Sequence, residues 1–114
     1  MVSHVRPAQW QQWLEDATAT GVLPLVLDVR EAWELQTASV PAQGFELRHI
    51  PMGSIPEQLA TLDSERPVAC LCHHGMRSLR VAAFLDQQGF ARVTNITGGI
   101  DAWARELDPS VPVY

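Results

Sequence analysis

The chain has 114 residues, eight basic and thirteen acidic side chains, and a formal charge of −5. All eight basic residues are arginines, so Schiff-base chemistry, pyridoxal-phosphate attachment and the usual phosphate-loop NTPase are excluded. The acidic balance argues against a nucleic-acid partner, which needs a basic footprint.

The length suits one domain, residues 1–114, with a core of its own. A hydrophobic fraction of 46% with 18% charged residues is that of a folded globular protein. No apolar run approaches the roughly 18 residues that span a bilayer, so no membrane partner is expected. The start, Met1-Val2-Ser3-His4-Val5-Arg6-Pro7, lacks the layout of a signal peptide. The expected location is cytoplasmic, where thiols stay reduced. Two cysteines, Cys70 and Cys72, are too few for a structural zinc site or a disulfide framework.

Taken in chain order, His4-Val5 is a short opening strand. Pro7 suits the first turn of a helix, with Trp10, Trp13, Leu14 and Ala17 on one face and Gly21 after its end. Leu25 to Val29 is an apolar run with one acid, the pattern of a strand buried on both faces. Glu31 to Ala38 makes a short helix, and residues 40–45 a loop. Leu47 to Ile50 is a further strand. Ser54-Ile55-Pro56-Glu57 opens another helix, followed by Leu59 and Leu62. Val68 to Cys72 is a second buried-strand run. Residues 73–77 form a loop, Ser78 to Gln88 a helix closed by Gly89, and Arg92 to Ile96 a strand. Gly98-Gly99 opens a last helix, Ile100 to Leu107, before an extended tail with Pro109 and Pro112. Strands and helices alternating throughout predict an α/β domain: a small five-stranded, mainly parallel sheet flanked by helices. In such sheets ligands bind beyond the carboxyl ends of the strands. Two chemically marked segments fall there: Asp28-Val29-Arg30 and Cys72-His73-His74-Gly75-Met76-Arg77-Ser78.

The second segment has a physical logic. The thiolate is the nucleophilic form of cysteine, and it needs nearby positive charge or amide donors. Amides of a tight loop converge on one point, and a following helix adds its positive end. Gly75 frees the chain to turn inward, and Arg77 adds a planar cation. The same cradle would hold an anionic substrate or a persulfide. Protonated His73 or His74 would further favour the thiolate.

Cys72-x-x-Gly75-x-Arg77-Ser78 resembles the active-site loop of rhodanese-like sulfurtransferases. Leu27-Asp28-Val29-Arg30-Glu31, His49-Ile50-Pro51 with Ile55-Pro56, and Thr97-Gly98-Gly99-Ile100-x-Ala102-Trp103 are similar to three further segments of that family, in the same order. Arg48 stands where the family has glycine. The resemblance implies the rhodanese-like fold and a catalytic Cys72 that takes sulfur from thiosulfate or a persulfide and passes it to cyanide or a thiol. It implies that Arg77 orients an anionic donor and that the loop from His73 through Gly75 and Met76 to Ser78 holds the sulfur. It implies no cofactor or metal, and allows a protein persulfide as partner. Phosphatases and arsenate reductases on this fold resemble Cys-x5-Arg, whereas the spacing here is Cys-x4-Arg, a tighter cradle. A sulfur-carrying or partner-binding module without turnover is the other alternative.

Other residues have plainer readings. Cys70 is expected to be buried packing, since i, i+2 neighbours on an extended strand lie about 6.5–7 Å apart at Cα, at or beyond the usual range for a disulfide with Cys72. A metal on His73, His74 and the cysteines is disfavoured, because consecutive residues on one loop rarely converge on one ion. Asp28 and Arg30 are expected to support the loop, as a buried ion pair or through backbone hydrogen bonds, with contact to substrate as the alternative, and His49 is expected to be structural. Trp10, Trp13, Leu14 and Trp103 are expected in the core or on half-buried helix faces, and Trp33 is expected to pack in the core, with a cover over part of the pocket mouth as its alternative.

Overall fold

The computed structural model describes residues 1–114. Strands β1 (Ser3–Val5), β2 (Leu25–Asp28), β3 (Glu46–His49), β4 (Val68–Leu71) and β5 (Val93–Ile96) form one sheet in the order β1-β5-β4-β2-β3. Every pairing is parallel. The helices are α1 (Trp10–Thr18), α2 (Ala32–Thr37), α3 (Ile55–Gln58), α4 (Met76–Gln87) and α5 (Gly99–Glu106). The α/β architecture expected from the sequence is the one observed, with wholly rather than mainly parallel pairing.

The apolar runs explain the two-sided burial. Alternate residues of a strand face opposite sides of a sheet. Ala69 and Leu71 pack with Trp10, Leu14, Ile100 and Trp103 on one side. Val68, Cys70 and Cys72 pack with Ile55, Val81 and Leu85 on the other. Helices α1 and α5 therefore cover one face, and α3 and α4 the other. Trp10 sits between Trp13, Phe45 and Trp103, with ring centroids 4.8, 5.6 and 4.9 Å away.

Boundaries shift by a residue or two. Helix α4 starts at Met76 rather than Ser78, because Gly75 adopts φ +103° and turns the chain straight into the helix. Cys72 lies just beyond β4 instead of within it. Arg48 is part of edge strand β3, and its guanidinium binds the carbonyl and hydroxyl of Thr61. One packing expectation is corrected. Trp33 is 61% exposed, because the short helix α2 buries the side that carries Glu34, while the Trp33 ring makes an edge-on contact with Tyr114.

The strand order fixes where a site can form. From β2 the chain turns outward to β3, and from β4 it turns the other way to β5. The sheet thus reverses direction between β2 and β4, which leaves a crevice at their carboxyl ends. Asp28 aligns with Leu71 across that line, and the Val29 amide donates to the Leu71 carbonyl at 3.0 Å.

Trp103→Ala would remove a 3%-exposed ring that packs on Trp10 and Phe45. It is expected to cost about 3–5 kcal/mol, read as a lower urea midpoint with an unchanged slope.

Candidate active site

Strand β4 delivers Cys72 to the crevice, and the Gly75 turn folds the chain back over it. The Gly75 amide donates to Cys72 Sγ at 3.0 Å. Sγ lies 3.3 Å from Ser78 Oγ on the first turn of α4. Ser78 in turn donates to Asn95 Oδ1 at 2.6 Å, and Asn95 Nδ2 donates to the Gly75 carbonyl at 3.3 Å. The sulfur thus sits at the positive end of α4, where the first amides lack partners within the helix. Cys72 is only 2% exposed.

Helix α5 clamps the loop from behind. The amides of Ile100 and Asp101 donate to the carbonyls of Cys72 and His73 at 2.8 and 3.1 Å. The approach is so close that a Cβ on Gly99 would lie 2.4 Å from both carbonyl oxygens. This is the physical need for glycine at Gly99, while a Cβ on Gly98 would lie 2.5 Å from that of Ala102.

Arg77 is held by Glu34 of α2. Its two terminal nitrogens meet the two Glu34 oxygens at 2.7 and 2.9 Å. Glu34 is 3% exposed and also accepts from the Tyr114 hydroxyl at 2.7 Å and the Glu31 amide at 3.0 Å. The Arg77 hydrogen bond leads these contacts in pulling the Glu34 carboxyl down to about 2, against the opposing effect of burial. The same hydrogen bond raises Arg77 further.

Asp28 and Arg30 are enclosed together. Arg30 Nη2 reaches Asp28 Oδ2 at 2.8 Å, and the pair is nearly inaccessible. Arg30 also donates to the carbonyls of Glu34 and Ala38 and to the Tyr114 hydroxyl. His49 Nε2 lies 2.7 Å from the Arg30 carbonyl oxygen, which ties β3 to the same corner. Burial, then the neighbouring Cys72, pushes the Cys70 thiol up to about 12, which keeps it protonated and inert.

His73 stacks between His74 and Tyr114, with centroids 3.8 and 3.9 Å away. Its Nε2 lies 2.7 Å from the Tyr114 carbonyl oxygen. His73, His74 and Asp101 bring ligand atoms within 4.8 Å of one another. The His73 and His74 rings are stacked, and Asp101 accepts from Arg105 at 3.1 Å. Met76 is 67% exposed on the rim.

Reasoning from sequence missed Glu34, Asn95 and Tyr114. A polar Asn inside a buried strand was a usable signal for Asn95. Glu34 had a weaker one, its place three residues after the N-cap Glu31, with which it forms a reciprocal capping box. Nothing local marks Tyr114.

A parallel α/β sheet with a cysteine cradled at its reversal point defines a class of strand-end, loop-cradle proteins. The chain belongs to the rhodanese-like domain family, whose model matches residues 8–106. YtwF of Bacillus subtilis (strain 168) is 42% identical over 84 residues, 74% of this chain and 77% of that protein. The thiosulfate sulfurtransferase GlpE of Actinobacillus pleuropneumoniae serotype 5b (strain L20) is 31% identical over 112 residues, 98% of this chain and 95% of that one. The crystal structure of a rhodanese-related protein from Thermoplasma volcanium superposes with a TM-score of 0.75 at 28% identity, covering 98% and 99% of the two chains. The chain is thus an enzyme of the rhodanese class, and sulfur transfer is its general activity.

Two outcomes follow. Gly99→Ala is expected to destabilise the fold by about 2 kcal/mol or more, because the new Cβ must displace two carbonyls at a backbone φ of +59°; chemical denaturation measures it. The Glu34 carboxyl is lower in the folded protein than its ordinary value of 4.5. Its contribution is therefore complete above about pH 4.5 and is lost as the pH falls toward 2. Glu34→Gln is expected to cost about 2 kcal/mol at neutral pH, with the gap to wild type closing across that window in denaturation curves.

Proposed function

We propose that the chain, acting as one unit, transfers a sulfane sulfur through a persulfide on Cys72. The observation that carries this reading is the position of Sγ, 3.0 Å from the Gly75 amide and at the N-terminal end of α4. A negative sulfur is most stable where amide donors and a helix end converge. Cys70, with its raised thiol, has no such setting.

In the first half-reaction the Cys72 thiolate attacks the outer sulfur of thiosulfate or of a thiol persulfide. A new S–S bond forms as the donor's own S–S bond breaks, and sulfite or a thiolate leaves with the bonding pair. In the second, cyanide or a thiol attacks the outer sulfur of the Cys72 persulfide. The thiolate of Cys72 returns with its electron pair, leaving thiocyanate or a new persulfide as product. The sulfur rides on the cysteine, so the reaction calls on no metal or organic cofactor. Amides of the loop from His73 to Ser78 would hold the outer sulfur, and the Gly75 amide, 3.0 Å from Sγ, would donate to the charged form. Arg77 would offer its remaining N–H groups to the donor. Asp28 and Arg30 would support the loop from β2. A donor delivered as a protein persulfide would use the same crevice. The need for a free thiol suits a reducing, cytoplasmic setting.

Intact mass spectrometry tests the reading. Wild type is expected to gain one sulfur on treatment with thiosulfate or a persulfide and to lose it to cyanide. Cys72→Ser should gain none, while Cys70→Ser should behave as wild type. Steady transfer that persists in Cys72→Ser would reject Cys72 as the carrier. Aryl phosphate hydrolysis by wild type would favour a phosphatase instead.

A further inference from the structure

We propose that Glu34 sets the choice of sulfur donor: its pairing with Arg77 cancels the loop's one formal cation and turns the site from dianionic thiosulfate toward thiol persulfides of lower charge. The inference rests on Cys72 as the sulfur carrier.

Segment 72–78 contains a single arginine and no lysine. That arginine spends both terminal nitrogens on one carboxylate, at 2.7 and 2.9 Å. Bidentate pairing leaves Arg77 able to donate further hydrogen bonds but removes its net charge from the crevice. Nor is Arg77 free to leave. Glu34 is 3% exposed, so withdrawing the guanidinium would strand a buried carboxylate, which is strongly unfavourable. Tyr114 and the Glu31 amide hold that carboxylate in place from two other directions.

The neighbouring arginines are engaged elsewhere, and His73 Nε2 is taken up by the Tyr114 carbonyl oxygen at 2.7 Å. Arg30 is closed into its pair with Asp28. Arg80, one turn further along α4, lines a separate small hollow with Met52 and Phe84. Arg105 pairs with Asp101. The field of the whole chain, at −5, opposes the approach of a dianion. Thiosulfate brings two charges into this setting. A thiol persulfide brings at most one at the reacting sulfur, and its organic part can rest on the exposed apolar side chains of Trp33 and Met76.

The test is a charge series: wild type, Glu34→Gln, Arg77→Gln and the double variant. The readout is the ratio of kcat/KM for thiosulfate to kcat/KM for glutathione persulfide, with folding checked by circular dichroism. Glu34→Gln leaves the site one charge more positive and is expected to raise the ratio about tenfold or more. Arg77→Gln leaves it one charge more negative and is expected to lower the ratio. The double variant restores neutrality and should return to the wild-type ratio. Merely structural damage would depress both donors together and would not reverse in the double variant. If Arg77→Gln, which strands the buried Glu34 carboxylate, does not fold, the comparison is carried by wild type, Glu34→Gln and the double variant. A flat ratio across the series, or a double variant that follows either single change, would overturn the proposal. Turnover surviving in Cys72→Ser would instead remove the underlying reading, so the two failures are distinguishable.

Discussion

The guanidinium of Arg30 is the interaction on which the site's geometry depends. It is fully buried at the end of β2, and its donors reach Asp28, the carbonyls of Glu34 and Ala38, and the hydroxyl of Tyr114. A buried charge is tolerated only when its donors are matched this fully. One side chain therefore joins the carboxyl end of β2, the C-terminal part of α2 and its flank, and the C-terminal segment. Because α2 is fixed in this way, Glu34 is fixed, and through Glu34 so is Arg77. The organisation of the crevice is thus inherited from a charge that never touches solvent.

Two different demands meet at the crevice. The sheet requires apolar contact on both faces, which the strands supply with Leu, Val, Ala and Cys. The loop after β4 requires polar convergence, which only short residues allow. Gly75 supplies the left-handed turn, and Gly99 permits backbone-to-backbone contact between α5 and the loop. Ser78 and Asn95 complete the circuit without unpaired polar atoms, since every buried side-chain polar atom has a partner. A rigid cradle of this kind needs no reorganisation when a charged sulfur is placed in it, which is the economy of preorganised sites.

The fold was legible because each of its signals is local. Leu25-Val26-Leu27 and Val68-Ala69-Cys70-Leu71 are continuous apolar runs, and parallel strands buried on two faces have that pattern. Gly89 closes α4 and the Gly98-Gly99 pair opens α5 within a residue or two of where the spacing suggests. Trp33 failed for a reason of the same kind. Its neighbours in sequence say that α2 is a helix, but a helix of six residues is too short for periodicity to say which side faces inward. The buried side is instead chosen by Glu34, whose partners come from α4 and from the end of the chain.

Sequence alone determined the parallel α/β architecture, the strand-end position of Cys72 and the glycine-dependent shape of its loop. Each follows from short-range patterning and turn chemistry. Tertiary structure alone decided that the Arg77 charge is shared with Glu34, 43 residues away, and that Tyr114 binds both Glu34 and Arg30 across separations of 80 and 84 residues. Pairings at such separations leave no periodicity to detect. They arise when the sheet's reversal between β2 and β4 brings α2, the cysteine loop and the chain's end to a single crevice.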